Sequence, residues 1–382
     1  MSVSVTDPAA DESAGPSRTV RAAVAATIGA PLKVEEVEIG APAAGELRID
    51  LAASGICHTD LSARDGQFPA QFPIVLGHEG TGSVTAVGEG VDDVRIGDRV
   101  VLTIDHCGHC RSCDRGRYWA CANAFGMNIA GGRPDGTTAF SLDGSPIHSH
   151  WFGQSSFAAT ILAPRSTAIV VADDVPAEVA APLGCGIITG AGPVLHPQTT
   201  RPMDSLAVFG LGTVGLGAVM AARIRGIDRV IGVDPVASRR ELALELGATD
   251  VIDPSASDSV EEIQRITGGG ADQTLETSGA AGVLDVAMAA TITGGHCGVI
   301  GAPPPGTAFT TDVTMFIARN ISISGVAIGD CDANQVIPEL VDHWRNGDLP
   351  VERLVTTFDM DAINDAIAAA KSGRVIKPVI VF

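Results

Sequence analysis

Hydrophobic and polar positions follow two different regimes along the chain. From about residue 187 to 325, short apolar runs alternate with stretches of helical spacing. SLAVF runs into glycines, a helical stretch continues through Arg225, RVIGV rises after it, and QTLET and CGVIGAPPPG supply further strand patterns. Strands that alternate with helices predict a parallel, doubly wound sheet, so residues 187–325 are expected to form one α/β domain. Residues 19–186 are Gly- and Val-rich and read as mostly β. Residues 326–382 return to a mixed pattern and are expected to pack back on that first part. Residues 1–18 are polar, acidic and proline-containing, with no cationic flank and no apolar core of a leader, and read as a disordered tail.

Composition narrows the functional classes. With 382 residues and 45% hydrophobic content the chain can bury a sizeable core in two or three units. Apolar runs are cut by Gly, Asp or Arg well before the roughly 18 residues of a membrane span, and a cytoplasmic location is expected. The net charge of −20 repels phosphate backbones and anionic lipid, which argues against nucleic-acid and membrane partners. Lysine occurs only at Lys33, Lys371 and Lys377.

Candidate chemistry begins at CGHCRSCDRGRYWAC, with Cys107, Cys110, Cys113 and Cys121. In a reducing compartment such a cluster is a metal site rather than a disulfide framework, and four thiolates close a zinc coordination sphere, which makes it structural. Free redox thiols and an iron–sulfur cluster are the alternatives. His106 and His109 are expected to be exposed loop residues. A second set is dispersed: Cys57 in GICHTD, His78 in GHEGTG and Cys185 in PLGCGIITG. Two cysteines and a histidine leave one tetrahedral position open, as a catalytic zinc requires.

A dinucleotide fingerprint follows in SLAVFGLGTVGLG, where Gly210, Gly212 and Gly215 stand between strand and helix, and Asp234 closes the next strand. The glycines permit the turn, the approach of a pyrophosphate and helix packing. Asp234 suits ribose hydroxyls and repels a 2′-phosphate, so NAD is expected over NADP, unless Arg239 or Arg240 takes over the ribose site.

GHEGTG, the four-cysteine loop, LGCGIITGAG and FGLGTVGLG occur in the order found in the zinc-dependent medium-chain alcohol dehydrogenases, which the chain resembles over nearly its whole length after the tail. CANAFGMN, WFGQSSFA and IGAPPPG resemble the bacterial benzyl, or aryl, alcohol dehydrogenases. The resemblance implies a GroES-like β catalytic domain (19–186 and 326–382) holding two zincs, a Rossmann NAD domain (187–325) and a cleft between them. It also implies a homodimer or homotetramer and a small alcohol or aldehyde as substrate. By motif position, Thr59 would pass the alcohol proton, His58 would face the pyrophosphate, and Asp60 and Glu79 would act around the metal. Arg239 would serve the cofactor, Thr189 would approach the nicotinamide, and Lys377 would be a cationic phosphate contact. Trp151, Phe152 and Ala302 would line the substrate pocket. One departure stands out: many relatives carry a histidine three residues after the relay hydroxyl, and here the position is Ser62. The proton must then leave through a cofactor ribose hydroxyl and water, or through Ser62. Two other readings remain: a thiol-dependent formaldehyde dehydrogenase, whose cationic pocket the apolar WFGQSSFA does not supply, and a non-catalytic NAD- or zinc-binding protein, which has no use for an open ligand set beside a hydroxyl.

Overall fold

The structure is a computed structural model that describes residues 17–382 apart from 200 and 202. The tail expected over 1–18 lies outside the described residues except at its end, where Arg18 opens the strand Arg18–Ala25. Among the described residues the strands form three sheets. One is five-stranded, in the order Ile74–Val75, Arg18–Ala25, Lys33–Ile39, Phe140–Leu142, Ser145–Ile147. A seven-stranded sheet runs Ala168–Val171, Arg99–Leu102, Glu79–Val87, Glu46–Gly55, Lys377–Val381, Val355–Asp359, with Thr160–Pro164 also paired to Glu46–Gly55.

Two registers in that second sheet build the site. Glu46–Gly55 and Glu79–Val87 are antiparallel with Gly55 opposite Glu79, so the chain segments carrying Cys57 and His78 leave the sheet side by side. The last strand, Lys377–Val381, pairs antiparallel with the same end of Glu46–Gly55, and Ile56 donates its N–H to the Pro378 carbonyl at 2.9 Å. The C-terminus thus returns to the first part of the chain. Cys185 arrives from elsewhere, between a short 3-10 turn, Ala181–Gly184, and the helix Gly186–Leu195. A Cβ on Gly184 would stand 1.9 Å from the Leu102 carbonyl oxygen, so only glycine lets this turn lie against the strand Arg99–Leu102.

The third sheet is wholly parallel and six-stranded: Asp250–Ile252, Arg229–Val233, Ser205–Phe209, Ala271–Glu276, Thr291–Val299, Ser322–Gly325. This is a doubly wound order whose strand ends open at the switch point beside Ser205–Phe209. QTLET falls in Ala271–Glu276, but CGVIGAPPPG is strand only to Val299. Pro303, Pro304 and Pro305 have no N–H to give a ladder, and the segment continues as an exposed loop. One apolar cluster joins the parts, with Val101 and Ile169 of the second sheet packed together with Leu206 and Val208 of the third. Among the described residues no single helix is long and apolar enough to cross a membrane.

Candidate active site

Cys57 and His78 meet as the register requires, and Cys185 joins them from the turn before Gly186–Leu195. Their ligand atoms lie within 4.8 Å of one another, and the Cys185 Sγ is 3.4 Å from the His78 Nε2. Tetrahedral zinc with sulfur at about 2.3 Å and nitrogen at about 2.0 Å sets that edge at about 3.5 Å. His78 is 2% exposed, and its Nδ1 sits 2.8 Å from the Asp60 Oδ1. A carboxylate accepts, so Nδ1 carries the proton and Nε2 is left as the metal donor.

Charge in this pocket calls for a cation. Cys57 accepts a hydrogen bond from Cys185, which holds its thiol well below the usual value against the cost of burial, while the same bond and burial push Cys185 well above. Burial disfavours a charged His78, but the attraction of Asp60 and of Cys57 outweighs it and raises the imidazole well above its usual range. One thiolate is gained at the expense of the other. A divalent ion removes the conflict, and the donor set fits zinc.

Glu79 is fully buried beside this trio. Its oxygens accept from the Lys377 ammonium at 2.7 and 2.9 Å and from the Gly186 N–H at 3.2 Å. Burial raises the Glu79 carboxyl, and the Lys377 charge opposes the shift. Lys377, expected as a cationic phosphate contact, is 2% exposed and spends its third proton on the Ile56 carbonyl at 3.1 Å. It reaches the cleft only as part of this pair. Thr59 and Ser62 lie on one face of the helix His58–Arg64, with the Thr59 Oγ1 3.8 Å from the Cys57 Sγ. His58 is exposed at the start of that helix.

The WFGQ stretch closes over His78. Phe152 is half-buried with its ring stacked on the imidazole at 4.7 Å and 28°. Trp151, expected to line the substrate pocket, is 0% exposed: its ring packs against Phe68 and Phe152, and its indole N–H goes to Asp60 at 2.9 Å. A side chain with no free surface is core, so Trp151 lines no pocket, whereas Phe152 keeps part of its surface free. Ala302 lies exposed on the loop after Thr291–Val299, packed against Gly279 on the coenzyme side.

The four-cysteine loop forms a second cluster. Sγ pairs are 3.5 Å apart for Cys110 and Cys113, 3.5 Å for Cys107 and Cys121, and 4.0 Å for Cys107 and Cys113. Sulfurs about 2.3 Å from a tetrahedral zinc are about 3.8 Å apart, and no disulfide forms among them. The His109 backbone N–H pulls the Cys107 thiol down to about 6, whereas burial drives Cys113 up to about 12. His109 is exposed as expected of a loop residue. His106 is not: it is half-buried and stacked on Tyr118 at 4.3 Å.

The coenzyme side meets this site at Gly210–Gly215. Gly210 has φ +96°, a backbone that side chains resist. A Cβ on Gly215 would stand 1.9 Å from the Gly210 carbonyl oxygen, and a Cβ on Gly212 would meet nothing within 4 Å. Gly212 therefore borders open space at the start of the helix Thr213–Ile224, a cradle for pyrophosphate. Beyond it a cavity of about 640 Å³ is lined by Val233, Asp234, Pro235, Val236, Arg239 and Thr277, among others. The Asp234 carboxylate accepts the N–H groups of Leu211 and Val236, both at 2.8 Å, and lies 3.8 Å from the Arg239 Nη1. Arg240 turns away to the Asp234 carbonyl and to Asp253. A second cavity, about 330 Å³, joins Cys57, His58, Gly212, Arg239 and Lys377. Thr189 is buried, and its hydroxyl has no hydrogen-bond partner among the described residues.

Gln154 and Lys371 escaped the sequence reading. Gln154 donates to the carbonyls of His78 and Thr103 at 2.9 and 3.0 Å and accepts the Gly80 N–H at 3.1 Å. A lone amide inside an apolar stretch was its signal. Lys371 lines the second cavity, and with Lys377 puts two of the chain's three lysines there.

Comparison with known proteins agrees with this geometry. Residues 43–169 match the alcohol dehydrogenase GroES-like domain and residues 213–344 the zinc-binding dehydrogenase family. Geraniol dehydrogenase of Castellaniella defragrans is 44% identical over 366 residues, 95% of this chain and 98% of its own. S-(hydroxymethyl)glutathione dehydrogenase of Escherichia coli is 36% identical over 94% of this chain and 99% of its own. The crystal structure of benzyl alcohol dehydrogenase from Acinetobacter calcoaceticus superposes with a TM-score of 0.92 at 38% identity, covering 96% of this chain and 99% of that one. Two metal-ligand clusters and a glycine-lined coenzyme cleft on this fold place the chain in the zinc-dependent medium-chain alcohol dehydrogenase family, as a zinc- and NAD-binding oxidoreductase.

Proposed function

We propose that the enzyme oxidises primary alcohols whose carbinol carbon adjoins an aromatic ring or a double bond, reversibly and with NAD, to the aldehyde. The observation that carries this reading is the half-buried Phe152 ring stacked on His78, a flat apolar surface against one of the three candidate metal ligands. Geraniol and benzyl alcohol, for which two relatives are named, both have an unsaturated carbon next to the carbinol. When bound, zinc supplies Lewis acidity toward an oxygen and NAD accepts hydride. Cys57, His78 and Cys185 would hold the catalytic ion, and Cys107, Cys110, Cys113 and Cys121 the structural one. Asp60 orients His78. The Thr59 hydroxyl would take the alcohol proton, with Ser62 one turn further on the same face. Thr189 would meet the nicotinamide, Asp234 the adenosine ribose, and His58 and Arg239 the pyrophosphate. Gly210, Gly212 and Gly215 let the cofactor approach the backbone. A cytoplasmic, self-associating enzyme is part of this reading. The self-association is supported by the exposed Val313, Met315 and Ile317 just before the edge strand Ser322–Gly325.

The test is a steady-state panel of benzyl alcohol, geraniol, ethanol and S-(hydroxymethyl)glutathione with NAD and with NADP, following reduced cofactor. Wild type should favour the first two, and Phe152→Ala should lower their kcat/KM far more than that of ethanol. A preference for the glutathione adduct would refute the proposal. Mass measurement in solution tests the assembly.

A further inference from the structure

Asp60 joins the parts of the metal site. Its Oδ1 accepts three N–H groups: from the His78 ring at 2.8 Å, the Trp151 indole at 2.9 Å and the Gly77 backbone at 3.2 Å. Its Oδ2 accepts the Cys57 N–H at 3.2 Å. With Trp151 0%, Asp60 1% and His78 2% exposed, solvent supplies no substitute for any of these bonds.

We propose that Trp151 is a positioning residue for the catalytic metal: its indole N–H fixes the Asp60 carboxylate, and through it the orientation of His78. The inference rests on Cys57, His78 and Cys185 being the zinc ligands. An indole nitrogen only donates, so the bond to Asp60 has one sense. Removing it leaves a buried carboxylate oxygen short of one donor and free to rotate toward its remaining partners. The ring it holds then turns with it.

The backbone around Trp151 is built to aim this grip. His150, Phe152 and Ser155 all have positive φ, at 57°, 51° and 61°, a conformation non-glycine residues rarely adopt. Ser155 Oγ accepts the Trp151 N–H at 3.0 Å and donates to the Val75 carbonyl, while His150 is tied to Glu46 at 3.0 Å. The irregular turn directs three of its side chains at one residue, two in contact and one through a carboxylate. Trp151 reaches His78 through Asp60, Phe152 lies on its ring, and Gln154 binds its carbonyl. A turn kept only for packing has no need to converge on a single imidazole.

The test replaces Trp151 by benzothienylalanine, whose sulfur takes the place of the N–H at nearly the same volume, with Trp151→Phe as the encoded counterpart. Outer-layer partners of metal ligands are worth roughly 10–100-fold in affinity. The benzothienyl enzyme should therefore lose one of its two zincs to a chelator about tenfold faster, keep the other, and melt as wild type. Cobalt in the catalytic position should show an altered visible spectrum. Unchanged zinc release and cobalt spectrum would overturn the inference, as would loss of both zincs in step with a lower melting temperature. A single zinc in the wild-type chain would instead refute the ligand assignment, and the inference with it.

Discussion

Replacing Lys377 by Met separates two roles that a basic residue at this position can have. Its ammonium has three protons and three close acceptors, the two Glu79 oxygens at 2.7 and 2.9 Å and the Ile56 carbonyl at 3.1 Å. Glu79 is 0% exposed, so methionine would fill the space but strand a buried carboxylate. Breaking a buried pair from one side costs about 3–5 kcal/mol, whereas removing both charges is close to neutral. At about 2–4 °C per kcal/mol for large domains, Lys377→Met should lower the melting temperature by on the order of 10 °C. Glu79→Gln added to Lys377→Met should recover most of the loss, a coupling that the four proteins of a double-mutant cycle report directly. Thermal melting should be run alongside KM for NAD. If Lys377→Met melts as wild type and only KM for NAD rises, the ammonium is spent on phosphate and the argument from the pair fails.

Other outcomes follow from single groups. Cys110→Ser should lower zinc content to one per chain and reduce stability, while Cys57→Ser should also lose one zinc but keep its fold, by metal analysis and melting. Asp234→Gly should narrow the preference for NAD over NADP in kcat/KM, and should also cost stability, because Leu211 and Val236 lose their acceptor. Burial works against a charged Glu46, but hydrogen bonds from His150 and Arg133 bring its carboxyl from 4.5 down to about 2. A depressed carboxyl stabilises the fold above its unfolded pKa and loses that contribution as pH falls from about 4.5 toward 2. Glu46→Gln should therefore be less stable than wild type at neutral pH by about 3 kcal/mol, with the gap closing through that window in urea titrations. Thr59→Ala should lower kcat by about 10²–10⁴ at unchanged zinc content, and Thr59→Ser should remain active.

Much of the fold could be read from local pattern, because local pattern causes it. Ser205–Phe209, the glycine turn and Thr213–Ile224 appear where apolar run, Gly210–Gly215 and helical spacing put them. The return of the C-terminus was also anticipated, but not its register. That register is set by long-range pairing of Lys377–Val381 with Glu46–Gly55, and no property of either segment alone encodes it. Motif position implied only a cationic phosphate contact at Lys377, and it is the pairing that buries this residue opposite Glu79.

The site divides in the same way. The two candidate metal clusters were legible because few chemistries use cysteines in such sets, and residues of that kind keep their meaning wherever the chain takes them. Trp151 and Gln154 have no such restriction, since an indole or an amide in an apolar stretch suits a core, a pocket wall or a hydrogen-bond bridge equally well. Which of these it becomes depends on where its polar atom points, and that is decided by the positive-φ turn at His150, Phe152 and Ser155. Nothing about the turn is visible in WFGQSSFA except Gly153, since the three strained residues are not glycines. The strain persists because Glu46, Val75 and Asp60 each anchor one side chain of the turn, and those anchors come from three separate segments. A residue whose role is to hold another in place is therefore the last to be read from sequence: its evidence is the partner, and the partner is supplied by the fold.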